Sequence, residues 1–188
     1  MSGSELKTDL PHVPVLAFVG FSESGKTTLI ERLAKTLTIK GYKVGIIKHH
    51  AHVDEEGKDT WRYREAGAAI VGLVSPNGMA LLLPEQCLTA EQAIERLLRQ
   101  MAVDLVLVEG FKGSRLKKMA VLPDCVGEAE GERLLENLLT KIRDKSTVVG
   151  IVSPVKLPSE LPQFTHDDIN GLCDFILHSI HKLTGERS

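Results

Sequence analysis

Residues 20–27 read Gly-Phe-Ser-Glu-Ser-Gly-Lys-Thr and fit the pattern GxxxxGK[ST], which is typical of loops that bind nucleotide phosphates. An uninterrupted apolar run, Val15–Val19, precedes the loop and predicts a buried β-strand. Apolar residues then recur at helical spacing between residues 26 and 39, and Gly41 ends that pattern. Strand, loop and helix therefore follow one another in the order that the motif requires.

The remaining apolar segments predict an α/β fold of the P-loop NTPase type, with a mostly parallel sheet flanked by helices. Asn77-Gly78 separates two apolar runs and predicts an antiparallel hairpin at an edge of that sheet. The Gly- and Glu-rich residues 123–132 are predicted to form a surface excursion. We expect a flexible N-terminus (1–12) and a single P-loop nucleotide-binding domain (13–188). The further predicted strands are 44–47, 69–74, 79–83, 104–108, 117–123 and 148–152, and the further predicted helices are 59–67, 89–101, 134–142 and one beginning near residue 167.

Composition excludes several classes of protein. The chain has 188 residues, 43% hydrophobic and 26% charged, as in an ordinary globular protein. A net charge of −2 and 4% aromatic residues argue against binding to nucleic acid or to an acidic membrane. The N-terminus lacks an apolar signal-peptide core, so we expect a cytoplasmic protein. Its three cysteines, Cys87, Cys125 and Cys173, are expected to be reduced and to lie in the core.

The phosphate loop predicts a ligand. Glycines permit backbone angles that let successive N–H groups converge on a phosphate, and the following helix adds its positive end. The loop residues that we expect at the phosphates include Ser22, Glu23 and Ser24. Lys26 would bring its ammonium to the β- and γ-phosphates, and the Thr27 hydroxyl would ligate Mg²⁺. The predicted ligand is a nucleoside triphosphate with Mg²⁺.

A second carboxylate on the metal side is expected at the end of a neighbouring strand. Asp104 precedes the apolar run of residues 105–108 and Glu109 follows it. Ligands of parallel α/β sheets lie at the carboxyl ends of the strands, which favours Glu109. Asp104 is then interpreted as a residue that starts the strand, and the alternative for Glu109 is a plain surface carboxylate.

The segment after the second strand contains Lys48, His49, His50 and His52. Imidazoles are common metal ligands, but a polar loop near anionic phosphates explains the same residues. Asp59 is interpreted as an acid that holds Mg²⁺ indirectly or positions water near the phosphates. The alternative is that Asp59 or Thr60 caps a helix.

Six segments carry a resemblance to a known family. They resemble the MobB family of molybdopterin-guanine dinucleotide biosynthesis adaptor proteins, and because they are spread from the first strand to the last helix, the resemblance extends over nearly the whole chain. The match at residues 107–112 is more specific than the phosphate loop, which many families share. The segments are Gly20 to Thr28, Ile47-Lys48-His49, Gly57-Lys58-Asp59-Thr60, Glu65-Ala66-Gly67-Ala68, Leu107-Val108-Glu109-Gly110-Phe111-Lys112 and Asp168 to Phe175.

The resemblance implies a homodimeric protein that binds GTP and Mg²⁺ and hydrolyses GTP slowly. It implies a partner, the nucleotidyltransferase MobA, a helper role in attaching GMP to molybdopterin, and contact with molybdopterin itself. Carried over to this sequence, Thr27 and Glu109 hold Mg²⁺, Lys48, His49 and Asp59 lie around the γ-phosphate, and Lys26 and Asp59 are the expected catalytic residues. The phosphates are held by Gly20, Ser22, Gly25, Lys26, Thr27 and Thr28.

Two departures from the family pattern bear on function. The histidine turn has a different spacing, and Val152-Ser153-Pro154 stands where relatives have Ala-Ser-Asp, whose acid could read guanine. The choice between guanine and adenine therefore stays open. Two other functions also stay open: a small-molecule kinase using Glu109 or Asp59 as base, and a GTP-dependent metal-insertion chaperone using the histidines.

Overall fold

The computed structural model describes residues 13–49, 57–82, 89–100 and 102–184. Residues 1–12, His50, His52 and Cys87 lie outside this part of the chain. The strands are β1 (Val15–Val19), β2 (Val44–Lys48), β3 (Val71–Ser75), β4 (Gly78–Leu82), β5 (Leu105–Glu109), β6 (Lys118–Val121), β7 (Val148–Val152) and β8 (Gln163–Phe164). The helices are α1 (Lys26–Ile39), α2 (Asp59–Glu65), α3 (Ala90–Gln100), α4 (Glu128–Thr140) and α5 (Ile169–Thr184), with a short 3-10 turn at Lys145–Thr147.

Six strands form one parallel sheet in the order β2-β5-β1-β6-β7-β8. Strand β1, which precedes the glycine loop (residues 20–27), lies near the centre of the sheet, with β5 on one side and β6 on the other. Because all the strands point the same way, the segments that follow them meet at one edge. The predicted P-loop NTPase-type α/β fold is confirmed.

Apolar side chains cover both faces of this sheet. Leucines of α1, such as Leu33, pack with Leu172 of α5 against Phe18 and its neighbours. Leu138 of α4 and Ile94 of α3 belong to two separate apolar clusters on other parts of the sheet. The central strands are buried on both faces, which explains their uninterrupted apolar sequences. Within the described residues, no helix has the length and hydropathy that a bilayer crossing requires.

A second compact unit contains the described residues 57–82 and 89. Helix α2 has Asp59 in its first turn and two arginines in its last turn, which suits the helix dipole. Asp59 is the first helical residue, so the cap is Lys58, and the prediction of Asp59 or Thr60 as the cap was wrong. The hairpin β3–β4 forms as predicted, with Ser75 opposite Gly78, but as a two-stranded sheet of its own.

Two further expectations need correction. Residues 123–132 are not wholly a surface excursion, because α4 begins at Glu128. Gly131 lies inside that helix, where a Cβ would come within 3.1 Å of Leu157 and 3.3 Å of Val155. This glycine permits close packing and does not break the helix. The cysteines also differ from expectation: Cys173 is buried, but Cys125 is exposed.

Lys118 is fully buried at the start of β6, an unusual place for a lysine. Its ammonium donates hydrogen bonds to the backbone carbonyls of Ser114 and Leu116, both at 2.7 Å, and to Thr147 Oγ1 at 3.1 Å. Burial lowers the pKa of Lys118, partly opposed by Asp144 and Glu91. The lysine fixes the path of the loop that joins β5 to β6.

Candidate functional site

The glycine loop (residues 20–27) joins β1 to α1 through two left-handed residues. Glu23 has φ 61° and Gly25 has φ 78°, so the chain reverses direction tightly just before the helix. Gly25 is the N-cap of α1, and its carbonyl accepts the first helical hydrogen bond from Leu29 at 2.9 Å. This backbone leaves the N–H groups at the start of α1 available to an anion.

Gly20 is required by close packing. A Cβ at this position would collide with the backbone oxygen of Val121 and would lie 2.5 Å from Ser24 Oγ. Val121 belongs to β6, the neighbour of β1, so the obstacle is part of the sheet. The first glycine of the motif therefore allows the loop to pass close to the next strand.

Lys26 folds back over its own loop. Its ammonium donates hydrogen bonds to the Phe21 carbonyl and, at 3.1 Å, to Ser24 Oγ. Burial is the main cause that lowers the pKa of Lys26, and the charges of Lys112 and Lys48 lower it further while Glu109 opposes them. An ammonium held among neutral acceptors and other cations is a site for an anion.

Thr27, Glu109 and Lys48 come together beside the loop. The Thr27 hydroxyl donates to Glu109 Oε2 at 3.0 Å, and the Lys48 ammonium lies 3.3 Å from each of these two oxygens. Sheet register explains the meeting, because Glu109 pairs with Lys48 of β2 and with Phe18 of β1. The Glu109 side chain is 14% exposed, so its neighbours cover most of it.

Asp104 lies at the opposite end of the same strand. Its Oδ2 accepts a hydrogen bond from the Lys43 backbone at 2.6 Å, where β2 and β5 begin. The interpretation of Asp104 as a strand-start residue is confirmed.

His49 packs on the turn that follows β5. Its ring stacks on Phe111 with centroids 4.1 Å apart, and its backbone N–H donates to the Glu109 carbonyl at 3.0 Å. Gly110 has φ 98°, and a Cβ there would lie 3.0 Å from His49 Cβ, so glycine permits this close approach. Within the described ranges, no group of three or more His, Cys, Asp and Glu side chains is arranged to hold a metal ion. The proposed ligands His50 and His52 lie outside those ranges.

Asp59 belongs to the second unit, where its Oδ1 accepts a hydrogen bond from the Thr60 backbone at 2.9 Å. This contact belongs to the start of α2. The role of Asp59 at the phosphates stays a prediction.

Two lysines near the loop were not predicted as site residues. Lys112 and Lys141 place their ammonium groups 5.3 and 4.7 Å from the centre of the Phe21 ring. Burial and then the charge of Lys141 lower the pKa of Lys112. The place of Lys112 near the site could have been predicted from the sequence, because it follows Glu109 by only three residues. Lys141 follows α4, and no local sequence pattern indicates that it lies near the loop.

An open cavity of about 440 Å³ lies beside the loop. Arg32 of α1 donates to the His166 carbonyl at 3.0 Å and to Asp167 at 2.9 Å. His166 Nε2 lies 3.3 Å from the Ser24 carbonyl, so this nitrogen carries the hydrogen. The cavity is lined by Gly25, Thr28, Leu29, Arg32, Asp124, Pro154, Thr165, His166 and Asp167.

A sequence model described as MobB, molybdopterin guanine dinucleotide synthesis protein B, matches residues 15–153. The chain belongs to the MobB family. The MobB-family chain is 32% identical over 178 residues to the molybdopterin-guanine dinucleotide biosynthesis adapter protein of Escherichia coli, covering 92% of this chain and 97% of that protein. It is 30% identical to the Haemophilus influenzae adapter protein, covering 93% and 94%.

Solved structures of the MobB family have the same fold. The crystal structure of Bacillus subtilis MobB superimposes with a TM-score of 0.66 at 29% identity, covering 88% of this chain and 96% of that one. The family expected from the six sequence segments is therefore confirmed, including the parts beyond the glycine loop.

Proposed function

We propose that this chain is an adaptor in molybdopterin-guanine dinucleotide biosynthesis that binds GTP with Mg²⁺ and hydrolyses it slowly. The observation that carries the proposal is the meeting of Thr27 Oγ1 and Glu109 Oε2 at 3.0 Å beside Lys26 and Lys48. A hydroxyl and a carboxylate are the hard oxygen ligands that Mg²⁺ prefers. Membership in the MobB family supports the biosynthetic role.

Each group of the site would contribute differently to binding. The N–H groups of the glycine loop and the Lys26 ammonium would hold the phosphates, exchanging the neutral partners of Lys26 for charged oxygens. Thr27 and Glu109 would hold Mg²⁺, which would neutralise phosphate charge when bound. Lys48, already 3.3 Å from both oxygens, would orient them. His49 would fix the turn after Glu109 by stacking on Phe111.

The proposed partners follow from the family. The adaptor would act in the cytoplasm with a MobA-type nucleotidyltransferase and with molybdopterin, as a homodimer. The hairpin β3–β4 exposes Leu73, Val74, Met79 and Leu81, which suit contact with a second copy. Turnover should fall far below the usual enzyme range of about 1–10³ s⁻¹.

Calorimetric titration with GTP and ATP, each with and without Mg²⁺, tests this proposal. Lys26→Ala should weaken triphosphate binding by roughly 10–150-fold, because a hydrogen bond to a charged group contributes about 1.5–3 kcal/mol. Lys35→Ala, an exposed lysine on the same helix, is the control. Glu109→Gln should remove the Mg²⁺ dependence, whereas Asp104→Asn, at the other end of β5, should keep it. Unchanged affinity in Lys26→Ala would reject the site.

A further inference from the structure

The cavity beside the glycine loop has room for a part of the nucleotide other than its phosphates. Gly25, Thr28 and Leu29 form its wall on the side of α1, so it begins where the predicted phosphate site ends. The opposite walls come from residues that follow the last three strands of the sheet. Its volume of about 440 Å³ lies within the usual range of small-molecule sites.

Most charged groups in this cavity already have partners. Arg32 is paired with Asp167 at 2.9 Å and also bonded to the His166 carbonyl at 3.0 Å. The His166 ring is bonded to the glycine loop through Ser24 at 3.3 Å. The Asp124 carboxylate has no hydrogen bond or ion pair among the described residues, so its two oxygens are available to a ligand.

The chemistry of a free carboxylate distinguishes the purine bases. Guanine presents two neighbouring donors, N1–H and the N2 amino group, and a carboxylate can accept both. Adenine presents an acceptor at N1, which a carboxylate repels. Pro154 and Leu29 add apolar surface to the same cavity, as the faces of a base require.

We propose that Asp124 is the residue that selects guanine over adenine, reading the N1–H and N2 amino edge of a base bound in this cavity. This inference rests on the proposed binding of a nucleoside triphosphate at the glycine loop. Residue 154, which follows β7 and also lines the cavity, is a proline and supplies no carboxylate. Asp124 follows the neighbouring strand, β6, and supplies a carboxylate to the same cavity.

The test exchanges the hydrogen-bonding pattern of residue 124. Xanthine carries an oxygen where guanine carries the N2 amino group, so Asp124→Asn offers xanthine a donor and an acceptor in place of two acceptors. Calorimetry with GTP, XTP and ATP should show GTP binding weakened at least about tenfold and XTP binding tightened at least about tenfold. Asp174→Asn, which changes a carboxylate paired with Lys40 outside the cavity lining, should keep the preference for GTP over XTP.

The outcomes separate two failures. If wild-type protein binds GTP but Asp124→Asn binds GTP and XTP as wild type does, the role of Asp124 is refuted and the phosphate site stands. If wild-type protein binds none of the three triphosphates, the proposed function itself fails. Asp124 is exposed, so the variant should unfold at the wild-type temperature, which circular dichroism verifies.

Discussion

Replacing Gly20 with alanine should destabilise the protein and distort the glycine loop together. The new Cβ would overlap the backbone oxygen of Val121, which the sheet holds in place, and would lie 2.5 Å from Ser24 Oγ. Forcing a methyl group into such a place costs about 1–3 kcal/mol. For a chain of this size, that corresponds to a fall in Tm of roughly 2–12 °C. Displacement of the loop should also weaken GTP binding at least about tenfold.

Gly113→Ala is the matched control for this variant. Gly113 is exposed, and nothing lies within 4 Å of the position of its Cβ. Both substitutions restrict the unfolded chain equally, by about 0.4–1 kcal/mol, so the difference between the two variants isolates the collision. Thermal unfolding followed by circular dichroism gives the stability, and calorimetry gives the affinity. If Gly20→Ala matched Gly113→Ala in both measurements, the close packing of β1, the loop and β6 would be wrong.

Two further predictions concern titrating groups. Burial lowers the pKa of Lys26, and the triphosphate binds the protonated form of this lysine. GTP affinity should therefore begin to fall, as the pH rises, below the ordinary lysine pKa of 10.5. A GTP affinity that stays constant up to pH 10.5 would contradict this prediction. Burial also raises the pKa of Cys173 while Cys125 is exposed, so iodoacetamide should modify Cys125 first in the folded protein, as peptide mass spectrometry would show. Equal rates for the two thiols in folded protein would refute the burial of Cys173.

The parallel sheet was largely predictable because its central strands are apolar on both faces. An uninterrupted apolar run such as Leu105 to Val108 by itself predicts a buried strand. Strand β8 has two residues, and its pairing depends on β7, as in the bond from the Ser153 N–H to the Phe164 carbonyl at 2.9 Å. No local pattern predicts so short a strand, and the residues after it, including His166, were therefore not expected near the glycine loop.

The same distinction applies to the candidate site. Strand direction alone favoured Glu109 over Asp104, and the sheet register puts Glu109 beside Lys48. Asp124 was not predicted, because its place in the cavity depends on β6, β7 and β8 being neighbours in that order. The position of a side chain such as Glu109, which directly follows a strand recognisable in the sequence, can be predicted. The position of a side chain such as Asp124 depends on which strands are neighbours in the sheet, and that order is known only from the structure.

The buried lysine has a consequence for how this protein can diverge. Two of the three hydrogen bonds of Lys118 go to main-chain carbonyls, at Ser114 and Leu116, which residues of any type supply. Exposed positions between them and beside them, such as Gly113 and Arg115, can therefore change without altering the path of the loop. Sequence change at these positions is thus compatible with an unchanged turn beside Glu109.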